Sequence, residues 1–303
     1  MLRGLYTAAS GMIAEQRRHD TVTQNIANLN TPGYKSVNSV AHSFPEMLIS
    51  LMGDKPSGAA SQIGKLVTGV FAEESLPAFT QGDLKETGDG TDFALISQLS
   101  LNDPATDQPY VFDASGKFVT EDGEVIYRPQ AFFAVEDNEG NVRYTRDGNF
   151  SVNAAGELRT SSGYRVLDDT GSAIVLNPSL AVNTLTSDEA GNLTALDNLG
   201  APVNLGALGI TVVERPYQLI REGNGVFRVA DAEAAGVRPL DLQDPQDLNG
   251  LKVRQGYLEV SNVDAAQSMV DLLAAQRAYE SNQKMIQYYD RSLDKAVNEI
   301  GRV

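Results

Sequence analysis

Residues 21–35, TVTQNIANLNTPGYK, contain the end of a helix and the turn that follows it. Pro32 disfavours helical backbone at the residue before it, and Gly33 permits a turn. Upstream of this turn, a three-and-four spacing places a set of side chains on one helix face. These residues are Leu2, Leu5, Ala9, Met12, Gln16, His19, Thr23 and Ile26. Gly4 and Gly11 each cost this helix roughly 1 kcal/mol relative to alanine. The sequence therefore predicts a long N-terminal helix that is weak without partners.

A second long helix is predicted from about residue 263 to residue 300. Its apolar residues recur every seven positions: Leu272, Tyr279, Ile286, Leu293 and Ile300. The companion positions are Met269, Gln276, Gln283, Asp290 and Val297. Five heptads indicate coiled-coil-like packing, with the N-terminal helix as the obvious partner. Ser261 or Asn262 is the expected N-cap.

The two helices have two alternative roles. They pack on the body of a monomer, or they pack between subunits. The pattern alone favours neither role. The apolar faces of the two helices lie at the two ends of the chain, on either side of a β-rich middle, and this placement favours packing between subunits.

Between residues 70 and 258 the pattern changes to short apolar runs separated by turn signals such as DNEGN, NAAGE, DDTGS and DEAGN. This pattern predicts antiparallel strands in a barrel or a sandwich. Asp147-Gly148 in RYTRDGNFSV predicts a two-residue hairpin. The acidic turns could hold calcium, but they lack the spacing of an EF-hand loop, so ordinary turns are the better interpretation.

Composition excludes several classes of function. The chain has 303 residues and a net charge of −16, which disfavours nucleic-acid binding. It has no cysteine and two histidines, so thiolate chemistry and a histidine-rich metal site have little to be built from. No segment is long and apolar enough for a membrane span, and the N-terminus does not have the pattern of a cleaved signal peptide.

Several motifs at the ends and centre of the chain belong together. They are ASGM (9–12), NIAN (25–28), TPGY (31–34), FFAV (132–135), YTRDGNF (144–150), EVSNVD (259–264) and QRAYESNQK (276–284). In this order they resemble the signatures of the bacterial flagellar rod, hook and hook-associated axial proteins. The similarity touches both ends and the centre, about half of the chain, and is greatest to the proximal and distal rod proteins.

This resemblance implies a structural subunit of the flagellar basal-body rod, without catalysis or cofactor, that transmits torque from motor to hook. Its partners would be copies of itself, neighbouring axial proteins and the flagellar export apparatus. It would lie outside the cytoplasmic membrane, exported without a cleaved signal. The residues expected at the assembly interface are Leu2, Leu5, Ala9, Met12, Asn25, Ile26, Asn28, Asn262, Met269, Leu272, Tyr279, Ile286 and Leu293.

The chain departs from the rod pattern at one place. About 30 residues, near 98–130, separate ALI from AFF, and they predict an extra hairpin or loop. This insertion fits a divergent rod protein of the type found in bacteria with a single membrane.

Two other functions stay open. One is a non-polymerising junction or cap protein of the same family. The other is a secreted glycosidase acting on the cell wall, although no carboxylate pair stands out among the acidic residues.

The predicted organisation has four parts: an N-terminal axial helix (1–35), a flexible linker (36–70) with a loop at 53–65, a β-rich body (71–258) and a C-terminal axial helix (259–303).

Overall fold

A computed structural model describes residues 2–51, 61–73, 75–103, 106, 108–113, 116–120, 122–177, 184–197, 199–241, 247 and 250–300. The chain divides into two compact units. Unit 1 contains residues 1–27, 37–77 and 263–303, and unit 2 contains residues 28–36 and 78–262. Each unit is therefore built from segments that are far apart in the sequence.

The helices of unit 1 are α1, Leu2–Ala27, and α2, Ala265–Lys295. A π-helical turn, Ala296–Ile300, follows α2. The predicted cap at Ser261 or Asn262 is wrong, because the Asp264 carboxylate accepts the backbone N–H of Gln267 at 3.0 Å and so caps α2.

The described residues between 37 and 77 of unit 1 form an antiparallel ribbon of three successive strand pairs. Its strands are β1 Val37–Asn38, β2 Ala41–Ser43, β3 Met47–Leu51, β4 Ser61–Leu66, β5 Val70–Ala72 and β6 Leu76–Pro77. They pair antiparallel as β1 with β6, β2 with β5 and β3 with β4, in nested order. Most of the segment predicted as a linker is thus strand in the described residues, while residues 53–60 of the predicted loop lie outside them.

The strands of unit 2 run from residue 84 to residue 259. They are β7 Leu84–Glu86, β8 Phe93–Ser97, β9 Lys117–Val119, β10 Val125–Tyr127, β11 Gln130–Glu136, β12 Val142–Thr145, β13 Phe150–Val152, β14 Leu158–Thr160, β15 Arg165–Val166, β16 Thr186–Ser187, β17 Asn192–Leu196, β18 Pro202–Ala207, β19 Ile210–Val213, β20 Leu219–Gly223, β21 Val226–Val229, β22 Val237–Pro239, β23 Leu251–Gln255 and β24 Tyr257–Glu259. A short 3-10 helix, Pro216–Gln218, lies between β19 and β20.

Nine of these strands form one antiparallel sheet around β11. Its order is β13-β14-β15-β11-β12-β21-β20, with β19 pairing both β11 and β22. Over the described residues the order ends at β13 and β20, which do not pair with each other, so the sheet does not close into a barrel, one of the two predicted architectures. The prediction of a mainly β body is confirmed. Supercoiling of the helices stays a prediction.

The core of unit 2 lies around β11, whose residues are almost all buried. The main cluster includes Phe93, Phe133, Leu158, Leu193 and Val212. A smaller cluster surrounds Phe132, Val213, Leu219 and Phe227. A strand buried on both faces explains the continuous apolar run in QAFFAVE, which alternation alone would not predict.

The acidic segments form ordinary turns, as predicted. In DNEGN the Oδ1 atom of Asp137 accepts the N–H groups of Glu139 and Asn141 at 2.8 and 2.9 Å, and Gly140 has φ +85°. These hydrogen bonds, led by that from Asn141, hold the pKa of Asp137 below its ordinary value. The turns at 153–157, 168–172, 188–192 and 197–201 repeat the pattern.

The hairpin predicted at Asp147-Gly148 is wrong. The flanking strands β12 and β13 pair with other strands, and Asp147 is buried. The carbonyl of Gly148 instead accepts the N–H of Phe93 at 3.0 Å. A Cβ at position 148 would overlap the Phe93 carbonyl, so this glycine serves a close crossing of two backbones.

The insertion at 98–130 contains a hairpin, as the sequence predicts. Strands β9 and β10 pair with Val119 opposite Val125. The rings of Tyr110 and Phe118 lie 4.9 Å apart between centroids and support the hairpin from one face.

Candidate functional site

The helices α1 and α2 pack antiparallel within unit 1. Gly4 lies against the ring of Tyr289, and Gly11 lies against the amide of Asn282. About two turns further along α1, the Arg18 guanidinium contacts the Asp271 carboxylate of α2 at 3.0 Å. The glycines are used for close approach, since a Cβ at Gly4 would overlap the Tyr289 hydroxyl.

The α1 face toward α2 lies one residue before the predicted stripe. The contacts above place Gly4, Gly11 and Arg18 on this face. The same three-and-four spacing adds Ala8, Glu15 and Val22. The predicted residues Leu5, Ala9, Met12 and Ile26 are half-buried beside this face, whereas Gln16 and Thr23 are exposed. The side chain of Leu2 lies outside the described residues.

The α2 face toward α1 contains the predicted heptad residues. Leu272, Tyr279, Ile286 and Leu293 are half-buried. The companions that complete the face are Ser268, Ala275, Asn282 and Tyr289, each one residue before a predicted companion. Met269, predicted for the interface, is 56 % exposed. On α1 the shift has a clear cause: Gly4, Ala8 and Gly11 let the backbones approach closely, so this face rather than the stripe of larger residues meets α2.

Asn25, the first residue of NIAN, holds the ribbon to α1. Its amide accepts the N–H of Val37 at 2.9 Å and donates to the Val37 carbonyl at 2.8 Å. Asn25 is buried, so it replaces a strand partner for Val37. This motif residue therefore has an internal role in unit 1.

Apolar side chains remain exposed on the outer faces of the helices. On α1, Tyr6 and Ile13 are exposed and one heptad apart. On α2, the exposed apolar residues include Met269, Val270, Leu273, Met285 and Tyr288. At about 100° per residue, Val270, Leu273 and Tyr288 lie within roughly 30° of the direction opposite the α1 contact and form one stripe, and Met269 and Met285 lie on its two flanks. A stripe of this kind indicates a protein contact outside the described fold of unit 1.

In unit 2 the TPGYK turn is bound to the segment that precedes α2. We call residues 33–36, Arg146, Glu259 and Asn262 the signature cluster. The N–H of Gly33 donates to the Glu259 carbonyl at 2.8 Å. The Asn262 amide accepts the N–H of Ser36 at 2.6 Å. Sequence motifs from opposite ends of the chain therefore meet in one place.

The remaining groups of Asn262 and Tyr34 are also used within unit 2. The Asn262 Nδ2 atom donates to the Ala78 and Thr80 carbonyls at 2.9 and 3.1 Å. The buried Tyr34 ring lies under the Arg221 guanidinium, 4.2 Å from its centroid. Asn28, another predicted interface residue, accepts the N–H and the hydroxyl of Thr31.

The centre of the signature cluster is a buried group of charges. Lys35 Nζ lies 2.6 Å from Glu259 Oε1, and Arg146 Nε lies 3.1 Å from Glu259 Oε2. All three side chains are at most 1 % exposed. Lys35 also donates to the Thr80 carbonyl, and the Gly82 N–H donates to Glu259 Oε1 at 2.9 Å. Two cations thus share one carboxylate.

Burial and the neighbouring charges shift the pKa values of both Lys35 and Glu259. Burial, followed by the Arg146 charge, lowers the pKa of Lys35 from 10.5 to about 8, although Glu259 opposes this. Burial alone would raise the pKa of Glu259, but the charges of Arg146 and Lys35 outweigh it and hold that pKa below its ordinary value. At neutral pH all three groups are charged.

The sequence analysis identified the motifs TPGY, YTRDGNF and EVSNVD, but it did not predict that their charged residues form a cluster. The available signal was a single charged residue in each motif: Lys35 after TPGY, Arg146 within YTRDGNF and Glu259 before VSN. Nothing in spacing indicates that such charges meet, because they lie on different strands and turns.

Two further observations concern membrane-spanning helices and metal-binding clusters. Within the described residues, neither α1 nor α2 is apolar enough over a sufficient length to cross a bilayer. The same residues contain no cluster of three or more acidic, histidine or cysteine side chains that could hold a metal ion.

Three family models match the chain in its order. They describe a flagella basal body rod protein (residues 5–35), a flagellar hook protein FlgE/F/G D1 domain (128–195) and the flagellar basal body rod FlgEFG protein C-terminal region (254–299). The first covers most of α1 and the TPGYK turn, the second covers β11 to β17, and the third covers α2 and the strand before it.

Full-length relatives agree with these matches. The flagellar hook-basal body complex protein FlhO of Bacillus subtilis is 34 % identical over 306 residues, with 100 % of both chains covered. The flagellar basal-body rod protein FlgG is 30 % identical in Borreliella burgdorferi, over 98 % of each chain, and 31 % identical in Agrobacterium fabrum, over 94 % of each chain. The chain belongs to the flagellar basal-body rod protein family, as its motifs predict.

Proposed function

We propose that this protein is a structural subunit of the flagellar basal-body rod that assembles with copies of itself and with neighbouring axial proteins through α1 and α2. The observation that carries the proposal is the exposed apolar stripe on α2, opposite the α1 contact. A helix pair that had to be stable only as a monomer would gain nothing from Val270, Leu273 and Tyr288 in solvent.

The predicted interface residues divide into two groups under this proposal. Leu272, Tyr279, Ile286 and Leu293 hold the helices of one subunit together, and Asn25, Asn28 and Asn262 fix turns within it. Met269 is exposed on the flank of the outward stripe, where it contacts the edge of a neighbouring subunit. The same neighbouring subunit contacts the residues of α1 that are half-buried beside the α2 contact, namely Leu5, Ala9, Met12 and Ile26.

Torque transmission from motor to hook follows from this arrangement as a further part of the proposal. A polymer of paired helices repeats each weak contact along the axis, so many small free energies add up. We further propose export without a cleaved signal and a position outside the cytoplasmic membrane. The extra hairpin of β9 and β10 supports assignment to the divergent, single-membrane type of rod protein.

The test replaces stripe residues in the full-length protein and measures incorporation into isolated basal bodies. We expect Leu273→Glu with Tyr288→Glu to abolish incorporation, because a carboxylate at a subunit contact costs several kcal/mol to desolvate. The matched control is Gln276→Glu with Gln283→Glu, which adds the same charge at exposed polar positions of the same helix. Far-UV circular dichroism of the soluble proteins checks that both variants fold.

Normal incorporation of the stripe variant would refute the interface. The number of copies in each basal body then separates the two family roles. Many copies support a rod subunit, whereas a single ring of copies supports a junction or cap protein.

A further inference from the structure

The buried charges of the signature cluster join parts of unit 2 that lie far apart in the chain. Lys35 precedes Glu259 by 224 positions, and Arg146 lies between them. Every ion pair of Lys35 and Arg146 within the described residues goes to Glu259. The position of one carboxylate near the C-terminal end therefore decides whether two buried cations are neutralised.

The strands next to Glu259 complete the fold in the same way. Strand β23 pairs with β8, placing Leu251 opposite Ser97 and Gln255 opposite Phe93. Strand β24 pairs with β7, placing Glu259 opposite Leu84. Phe93 and Leu95 of β8 belong to the main core cluster. Residues 251–259 therefore complete both the backbone pairing of a core strand and the charge balance behind it.

The energetic consequence is large for a single residue. Removing one partner of a buried ion pair is strongly destabilising, because the remaining charge has lost both water and its counter-ion. Here the loss of one carboxylate leaves two such cations. Before Glu259 is in place, the body of unit 2 cannot bury Lys35 and Arg146 without this penalty.

We propose that Glu259 is a closing latch: the β body of unit 2 becomes stable only when the segment 251–259 docks and its carboxylate enters between Lys35 and Arg146. Any process that delivers the chain from its N-terminus supplies this residue after all the preceding strands of unit 2, because Glu259 ends β24, the last of them. The latch then keeps the body from locking in its folded form until that last strand is available. This inference is independent of assembly into a rod.

The first experiment is pulse-labelling hydrogen exchange during refolding of the full-length wild-type protein. The N–H groups of Gly33 and Gly82, which both donate to Glu259, report latch closure. The N–H groups of β11 and β12 report the central sheet. We expect both sets to gain protection in one phase. Protection of the sheet at least ten times faster than that of Gly33 and Gly82 would overturn the latch.

The second experiment compares equilibrium exchange in full-length variants. Glu259→Gln keeps an acceptor for Gly82 but removes the charge, and we expect it to lower protection of the β11 amides by roughly a hundredfold or more. Adding Lys35→Met to this variant should raise the protection of the β11 amides at least tenfold again, because one of the two unpaired cations is removed. The control is Glu189→Gln, which breaks an exposed Glu189–Lys252 pair of 2.8 Å and should leave β11 unchanged.

Either of two results would exclude the latch. One is a Glu259→Gln protein that loses protection at Gly33 and Gly82 alone, which would make the cluster a local contact. The other is a double variant less protected than Glu259→Gln. If Glu259→Gln does not fold, the wild-type pulse-labelling result decides by itself.

Discussion

The contact between α1 and α2 makes opposite predictions for its two glycines. Replacing a glycine inside a helix by alanine stabilises the helix by about 1 kcal/mol when the new methyl group has room. At Gly11 the nearest atom to a new Cβ would be Asn282 Nδ2 at 3.0 Å, at the end of a side chain that can rotate. At Gly4 a new Cβ would overlap the Tyr289 hydroxyl and the ring carbon that bears it.

The net effects follow from comparing these terms. For Gly11→Ala we expect a gain of up to about 1 kcal/mol, because a small rotation of Asn282 relieves the contact. For Gly4→Ala, displacing an aromatic ring from a packed contact costs roughly 1–3 kcal/mol, which outweighs the gain in helix propensity. The two variants should therefore differ by about 1–3 kcal/mol, with Gly4→Ala the less stable.

The assay is urea unfolding of dilute full-length protein, followed by circular dichroism at 222 nm, where the helices dominate the signal. Gly64→Ala is the control for a general effect of the substitution, because no atom lies within 4 Å of the Cβ it would add. Equal stabilisation by Gly4→Ala and Gly11→Ala would refute the close packing of Tyr289 on α1.

Other predictions concern the signature cluster and the ribbon. Since Lys35 has a pKa of about 8 in the folded protein and 10.5 as its ordinary value, the unfolded chain binds more protons between these pH values. Stability should therefore rise by roughly 3 kcal/mol from pH 8 to pH 10.5 relative to Lys35→Met, and a flat difference in urea titrations would contradict the burial of its charge. Gly33 and Gly88 both have positive φ, but only at Gly33 would a Cβ overlap neighbouring backbone, so Gly33→Ala should lower the melting temperature far more than Gly88→Ala. Asn25→Ala leaves both backbone groups of Val37 without their amide partner and should cost about 1–3 kcal/mol, measured by urea unfolding; a neutral effect would show that water replaces it.

The sequence by itself determined the elements whose signals are local. The three-and-four spacing at both ends predicts helices, and the structure has them as α1 and α2. The acidic Asx-Gly segments predict turns because carboxylate and glycine stabilise a turn without help from distant residues. The motifs at the two ends and the centre identify the family, which full-length relatives confirm.

Only the tertiary structure decided which surfaces meet. On α1 the helix contact lies one residue from the stripe of larger apolar side chains, because Gly4 and Gly11 allow close approach and spacing cannot rank close approach against side-chain size. Asp147-Gly148 has the sequence of a hairpin, yet it serves a crossing with Phe93 that no local pattern encodes.

The same limit applies most strongly to Lys35, Arg146 and Glu259. Each residue by itself looks like an ordinary charged residue, and charged residues are usually solvated. The fold tolerates their burial only because it brings a lysine, an arginine and a glutamate together across 224 positions. Electrostatic compensation is a property of the assembled neighbourhood, so the tertiary structure alone could place these charges inside.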